Sequence, residues 1–117
     1  MSTDKAAATK EQRMHPRWTP QSTVSVFEHT SKEYLGLLVD CSESGVMISS
    51  YEPLQPGARF ELDMVDIPPN IDGRRTGRCI AEVIWNDKIT PSLYGNGCTI
   101  SGASEMLKTM MKGYSHH

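Results

Sequence analysis

"GRCIAEVIWND", residues 77–87, is the stretch whose reading decides the fold. On an extended chain Cys79, Ala81, Val83 and Trp85 fall on one face, and Ile80, Glu82 and Ile84 on the other. A period of two rich in apolar and β-branched residues predicts a strand. Five further runs flank it. "TVSVFEH" (23–29) places Val24 and Val26 on one face, and "YLGLLVD" (34–40) is more continuously apolar. "GVMISS" (45–50) follows, then "RFELDMV" (59–65) with Phe60, Leu62 and Met64 alternating, and "YGNGCTIS" (94–101) closes the series. Turn residues such as Pro56-Gly57 and Pro68-Pro69-Asn70 separate the runs. Short strands at even spacing, without helices between them, predict an all-β fold: a closed six-stranded antiparallel barrel.

The ends read differently. In "SGASEMLKTMMKG" (101–113), Met106, Leu107, Met110 and Met111 form one stripe of a C-terminal helix, with Ser101 or Ser104 to cap its start and Gly113 to end it. The stripe is expected to pack on the barrel. Residues 1–12, "MSTDKAAATKEQ", are polar and lack apolar periodicity. They read as a flexible arm, 13–113 as the domain and 114–117 as a tail. The whole segment 1–17 is expected to order only around a ligand, because it holds too little apolar surface to fold alone.

Composition narrows the function. The chain has 117 residues and a formal charge of −2, which hides an asymmetry. Residues 1–18 carry Lys5, Lys10, Arg13 and Arg17 against Asp4 and Glu11, whereas the remainder holds eight cations against twelve carboxylates. Such a domain is not built to coat a nucleic acid polymer. A local excess of positive charge suits a small anion. Cys41, Cys79 and Cys98 are odd in number and widely spaced, which argues against a disulfide scaffold and a zinc site and for a cytoplasmic setting. No apolar run approaches the roughly 18 residues of a membrane span. "CSESG" (41–45) lacks the strand–turn–helix context of a nucleophile elbow, so no enzyme is expected.

Two short motifs carry chemistry. "RMHPR" (13–17) sets two arginines four apart around Pro16, which disfavours a shared helical face. "DCSESG" (40–45) lies where one strand ends and the next begins; taken alone, Asp40, Ser42 and Gly45 make an ordinary turn. Together and in this order, Arg-x-x-x-Arg followed by Asp-x-Ser-x-x-Gly resembles the PilZ domain family. The likeness extends to Leu54–Gly57 with "GARFELDM", to "AEVIW" read as a strand ending in an aromatic, and to "GNGCTI", with Cys98 where the family usually has an aromatic. It covers about residues 11–112.

That resemblance implies a barrel that receives cyclic di-GMP without any cofactor. It implies ligand contacts from Arg13, Arg17, Asp40, Ser42 and Gly45, with Gln12, His15, Trp85 and Gly97 as further contacts left open. Arginine suits the ligand because its planar fork pairs with phosphate oxygens or with guanine O6 and N7. Arg74, Arg75 and Arg78 form a second basic cluster, either solvated or folded over the ligand. The partners implied are cyclic di-GMP and an unidentified effector protein, with the chain a monomer or weak dimer. The alternatives are an adaptor that binds no nucleotide and a single-stranded nucleic-acid barrel. The second needs an aromatic platform on a basic groove, and only two Trp and two Phe are available.

Overall fold

In the computed structural model, residues 17–20, 22–66 and 74–115 are described. Six strands and one helix follow in chain order: β1 (Val24–Glu28), β2 (Tyr34–Cys41), β3 (Gly45–Ser50), β4 (Arg59–Asp66), β5 (Arg75–Thr90), β6 (Leu93–Ser101) and α1 (Glu105–Tyr114). The strands close into a barrel in the order β1-β2-β3-β6-β5-β4, and every neighbouring pair is antiparallel. The alternation read in the sequence fills its interior. Val24, Val26, Leu62, Met64, Cys79, Ala81 and Val83 are all buried, and Leu38, Cys41, Val46, Ile48 and Cys98 complete the core from the other three strands.

Burial raises the thiols of Cys41 and Cys98 to about 11 and that of Cys79 to about 12, so all three stay protonated, free and packed as small apolar groups. One buried polar side chain, Asn96, fastens the β3–β4 connection. Its Oδ1 accepts from the Leu54 N–H at 3.0 Å, and its Nδ2 donates to the Ile48 carbonyl at 2.9 Å and to the Ser50 hydroxyl at 2.8 Å.

Helix α1 lies against β5. Ser104 is its N-cap and accepts from the N–H of Leu107 (3.1 Å) and of Arg78 (3.0 Å), which ties the helix start to β5. Leu107, Met110, Met111 and Tyr114 face the core. Two details differ from the stripe expected. Met106 is exposed, because Tyr114, a full two turns beyond Leu107, completes the apolar face instead. Gly113 lies inside the last turn, and Ser115 is the C-cap, its N–H turned back on the final carbonyls.

Tyr114 also closes a buried cluster. Asp66, fully buried, accepts from Arg75 Nε at 3.1 Å and Nη2 at 3.0 Å, and from the Tyr114 hydroxyl at 2.5 Å. Burial first, and then the neighbouring carboxylate, push the Tyr114 phenol well above its ordinary range, so it remains a donor. The same carboxylate raises Arg75. The three residues bind the end of the helix to the β4–β5 end of the barrel.

Tyr114→Phe should therefore lower stability to urea by about 1.5–3 kcal/mol, the range for a hydrogen bond to a charged group. Because the folded pKa is raised, that contribution is full below the free tyrosine value of about 10 and is lost as the pH climbs above it. Equal stability of the variant and the parent at pH 7 would show that the cluster contributes nothing.

Candidate nucleotide site on the outer wall

Inward residues on a regular strand recur every two positions, and two strands here break that rule. In β2, Leu38 pairs with Ile48 and Cys41 with Val46, all four buried although Leu38 and Cys41 are three apart. A bulge between Leu38 and Asp40 absorbs the extra residue and turns Asp40 outward, opposite Met47. In β5, buried Val83 pairs with Cys98 and Asn86 with buried Asn96, again three apart. A second bulge, between Val83 and Trp85, turns Trp85 outward, opposite Gly97. Trp85 therefore does not continue the inner face of Cys79, Ala81 and Val83, and at 39% exposure it lies on the outer wall. Nor does the strand end there, since β5 continues to Thr90.

Met47 pairs with Gly97 across β3 and β6. The two bulges thus lie at one level, and a single lateral row, Asp40–Met47–Gly97–Trp85, crosses β2, β3, β6 and β5. At about 4.8 Å per strand the row spans roughly 14 Å. A Cβ at residue 97 would overlap the Trp85 indole, with Cζ2 at 2.8 Å; the glycine lets the indole lie flat against β6.

The arm meets this row at its Asp40 end. Trp18 forms an isolated antiparallel bridge with Cys41, its N–H to the Cys41 carbonyl at 2.7 Å and its carbonyl from the Cys41 N–H at 2.9 Å. One residue earlier, Arg17 directs Nε (3.1 Å) and Nη2 to the same Asp40 oxygen, Oδ1. Arg17 is thus held on the barrel wall beside Asp40. The backbone bridge beside it fixes the root of the arm. Arg13, Gln12 and His15 lie outside the described residues.

The turn after β2 brings the rest of the second motif to Arg17. The Ser42 N–H donates to the Gly45 carbonyl at 2.8 Å. A Cβ at residue 45 would stand 3.0 Å from the Cys98 carbonyl oxygen, 3.6 Å from Arg17 Nη1 and 3.9 Å from Ser42 Oγ. The gap beside Gly45 is therefore bordered by a guanidinium and a hydroxyl. Among the described residues the Ser42 hydroxyl and Asp40 Oδ2 have no hydrogen-bond partner. Each side chain of the Arg17–Asp40 pair is about a quarter exposed, at 25% and 27%, so the contact is worth about 0–1 kcal/mol.

Sequence reading missed Met47, which stands between Asp40 and Gly97. Of the second arginine cluster, read as solvated or folded over the ligand, Arg75 pairs with Asp66 and Arg78, half exposed, with Asp63 at 3.2 Å, both outside this row. The signal for the bulges was present in "LLV" (37–39), just ahead of outward Asp40, and in "VIW" (83–85), which ends on outward Trp85; in each, three consecutive apolar residues interrupt the alternation.

The family model for the PilZ domain matches residues 11–114. The chain belongs to the PilZ domain family. PilZ domains are receptors for cyclic di-GMP and adaptors for effector proteins, binding modules and not catalysts. Among solved structures the chain is similar to the Bacillus subtilis inhibitor of motility MotI/DgrA, a PilZ protein, with a TM-score of 0.62 and 14% identity. The match covers 89% of this chain and 49% of that one, so this PilZ chain spans about half the length of MotI and shares its fold. No curated protein sequence matches the chain. Among the described residues no helix is long and apolar enough to cross a membrane.

Gly97→Ala should displace the Trp85 indole from the outer wall. In a Trp18→Phe background, where Trp85 is the sole indole, its emission should shift to the red and acrylamide quenching should rise. The overpacked variant should lose about 1–3 kcal/mol. An unchanged emission maximum would mean that Trp85 does not rest on Gly97.

Proposed function

We propose that the outer wall around Gly45 binds cyclic di-GMP, and that binding changes the surface offered to an effector protein. The observation that carries this reading is the convergence of the Arg17 guanidinium, the Asp40 carboxylate and the Ser42 hydroxyl around the side-chain-free space at Gly45. Each supplies what one part of the ligand needs. Arg17 already faces Asp40 with its fork and keeps Nη1 toward the gap, so it can take a phosphate oxygen or the O6/N7 edge of guanine. Asp40 can accept from guanine N1–H and N2–H₂, and Ser42 can donate to or accept from a remaining polar edge. The apolar floor of Met47 and Gly97, with Trp85 beyond it, offers a purine face a surface to cover.

Arg13 is assigned the second phosphate or guanine edge, delivered from the arm, with Gln12 and His15 beside it. Two arginines are needed on energetic grounds. A micromolar complex requires about 8 kcal/mol, a good bidentate contact supplies roughly 1–3, and ordering each arm residue costs about 1–2. Seating Arg17 through the Trp18–Cys41 bridge removes part of that cost in advance. The remaining change, the arm closing over the ligand with Arg13, is the step that alters the exposed surface.

Calorimetric titration tests this. Cyclic di-GMP should bind, and cyclic di-AMP should bind far more weakly, because adenine presents an N6 donor to the arginine fork where guanine presents O6. Arg17→Ala should raise Kd by about 5- to 150-fold, the equivalent of one bidentate contact, with the melting temperature of the free protein nearly unchanged. Equal affinity for the two nucleotides, or an Arg17→Ala variant that binds like the parent, would reject the assignment.

A further inference from the structure

The barrel order sets β4 diametrically opposite β3, so the wall formed by β1 and β4 faces away from the proposed nucleotide groove. A cleft of about 360 Å³ opens on this wall, lined by Thr23, Ser25, Phe27, Val65 and Arg74. That volume lies at the low end of the roughly 300–1,000 Å³ of small-molecule sites and suits a ligand with one ring system.

Strand alternation sets the order of the lining groups. Val24 and Val26 fill the core, so Thr23, Ser25 and Phe27 line up along the outside of β1. Val24, Asp66 and Arg75 form one lateral row across β1, β4 and β5. Arg75 turns inward to buried Asp66, with two hydrogen bonds, so Arg74 turns outward one step beyond that row, level with Thr23. Ser25 pairs with Val65 at the next outward level. Phe27, whose ring packs edge-to-face on Tyr34 with centroids 5.7 Å apart, closes the far end, about 13 Å along the strand from Thr23. A guanidinium and a hydroxyl therefore stand at one end, a second hydroxyl in the middle and an aromatic ring at the other end.

These donors are free to act. Among the described residues Arg74 makes no ion pair, and the Thr23 and Ser25 hydroxyls make no hydrogen bond. Arg74 keeps its charge at any ordinary pH and presents several N–H donors. No carboxylate lines the cleft among the described residues. Asp66 is buried and holds Arg75 and Tyr114, while Asp63 already receives His29 at 3.0 Å and Arg78 at 3.2 Å. Glu28, Glu33 and Glu61 gather at the opposite end of the wall, about 17–20 Å along the strands from the Thr23–Arg74 end.

We propose that this cleft binds a nucleoside monophosphate, with its phosphate on Arg74 and the Thr23 hydroxyl, its sugar across Ser25 and Val65, and its base against Phe27. One guanidinium matches one terminal phosphate. The separation of the charged end from the ring argues for a nucleotide: in a phosphorylated phenol ring and phosphate adjoin, whereas a nucleotide places a hydroxyl-bearing sugar between them, where Ser25 stands. No side-chain amide or carboxylate lines the cleft among the described residues to read a base edge, so the base is held as a flat apolar surface. The proposal does not depend on the reading of the groove on the opposite wall.

Backbone amide NMR in phosphate-free buffer tests it, with AMP as the probe and adenosine, inorganic phosphate and phenyl phosphate as its parts. AMP should shift the amides of Thr23, Ser25, Phe27, Val65 and Arg74, and each of the three partial probes should bind severalfold more weakly. Arg74→Gln should weaken AMP about tenfold or more, the equivalent of a hydrogen bond to a charged group. Its melting temperature should match the parent's, because Arg74 holds nothing else among the described residues. Inorganic phosphate or phenyl phosphate binding as tightly as AMP, shifts centred on Asp40, Gly45 and Gly97 instead, Arg74→Gln binding AMP like the parent, or no shift at millimolar AMP would each overturn the proposal.

Discussion

Two residues inserted out of phase, Val39 and Ile84, determine what the outer wall of this barrel presents. A shift of one residue in a strand exchanges its faces. Were β2 regular beyond Leu38, Asp40 would point into an apolar barrel and Cys41 out of it. An unpaired carboxylate in that core would cost several kcal/mol, or would be neutralised by a proton. The bulge before Asp40 avoids this and sets the carboxylate on the surface, and the bulge before Trp85 does the same for an indole three strands along the row. Because both fall at one level, a guanidinium, a carboxylate, an open glycine floor and an aromatic ring line up across one wall of a PilZ barrel. The rest of the fold holds that row in register.

Two arginine–carboxylate pairs in the chain show the difference between holding and binding. Asp66 is fully buried, uses both oxygens on Arg75 and takes a third donor from Tyr114. Removing a partner from such a pair strands a buried charge, so it behaves as a fixed joint between helix and barrel. Asp40 is partly exposed, and Arg17 uses only one of its oxygens. That pair is easily exchanged for another anion, and the strong element beside it is the backbone bridge of Trp18 to Cys41. In the proposed reading, the site combines a rigid root with a guanidinium that a ligand can take over at little cost.

Much of this was legible in the sequence. Alternation located all six strands, because one face of each is buried and the period of two follows from that alone. The order of the two motifs identified the family, and the structure brings Arg17, Asp40, Ser42 and Gly45 together. What failed had physical causes. Trp85 was placed inside because a bulge changes the phase without leaving a turn residue behind. Met106 was placed in the helix core because adjacent positions in a stripe cannot all face one way, and Tyr114 took its place. Arg75 and Arg78 were read as one basic cluster, but three residues apart on a strand they sit on opposite faces, one reaching a buried carboxylate and the other a surface one. Asp63 and Asp66, which receive them, looked like ordinary polar positions of β4.

The claim on which the account turns is that the bulge-aligned row is the surface the nucleotide covers. Backbone and indole NMR of the protein titrated with cyclic di-GMP reads it directly. The account predicts the largest shifts at Arg17, from Asp40 to Ser42, at Gly45, Met47 and Gly97, and at the Trp85 indole N–H, with Asp63 and Arg78 on the opposite wall silent. A map centred on Asp63 and Arg78, or saturating binding that leaves Asp40, Gly45 and Trp85 unmoved, would contradict it.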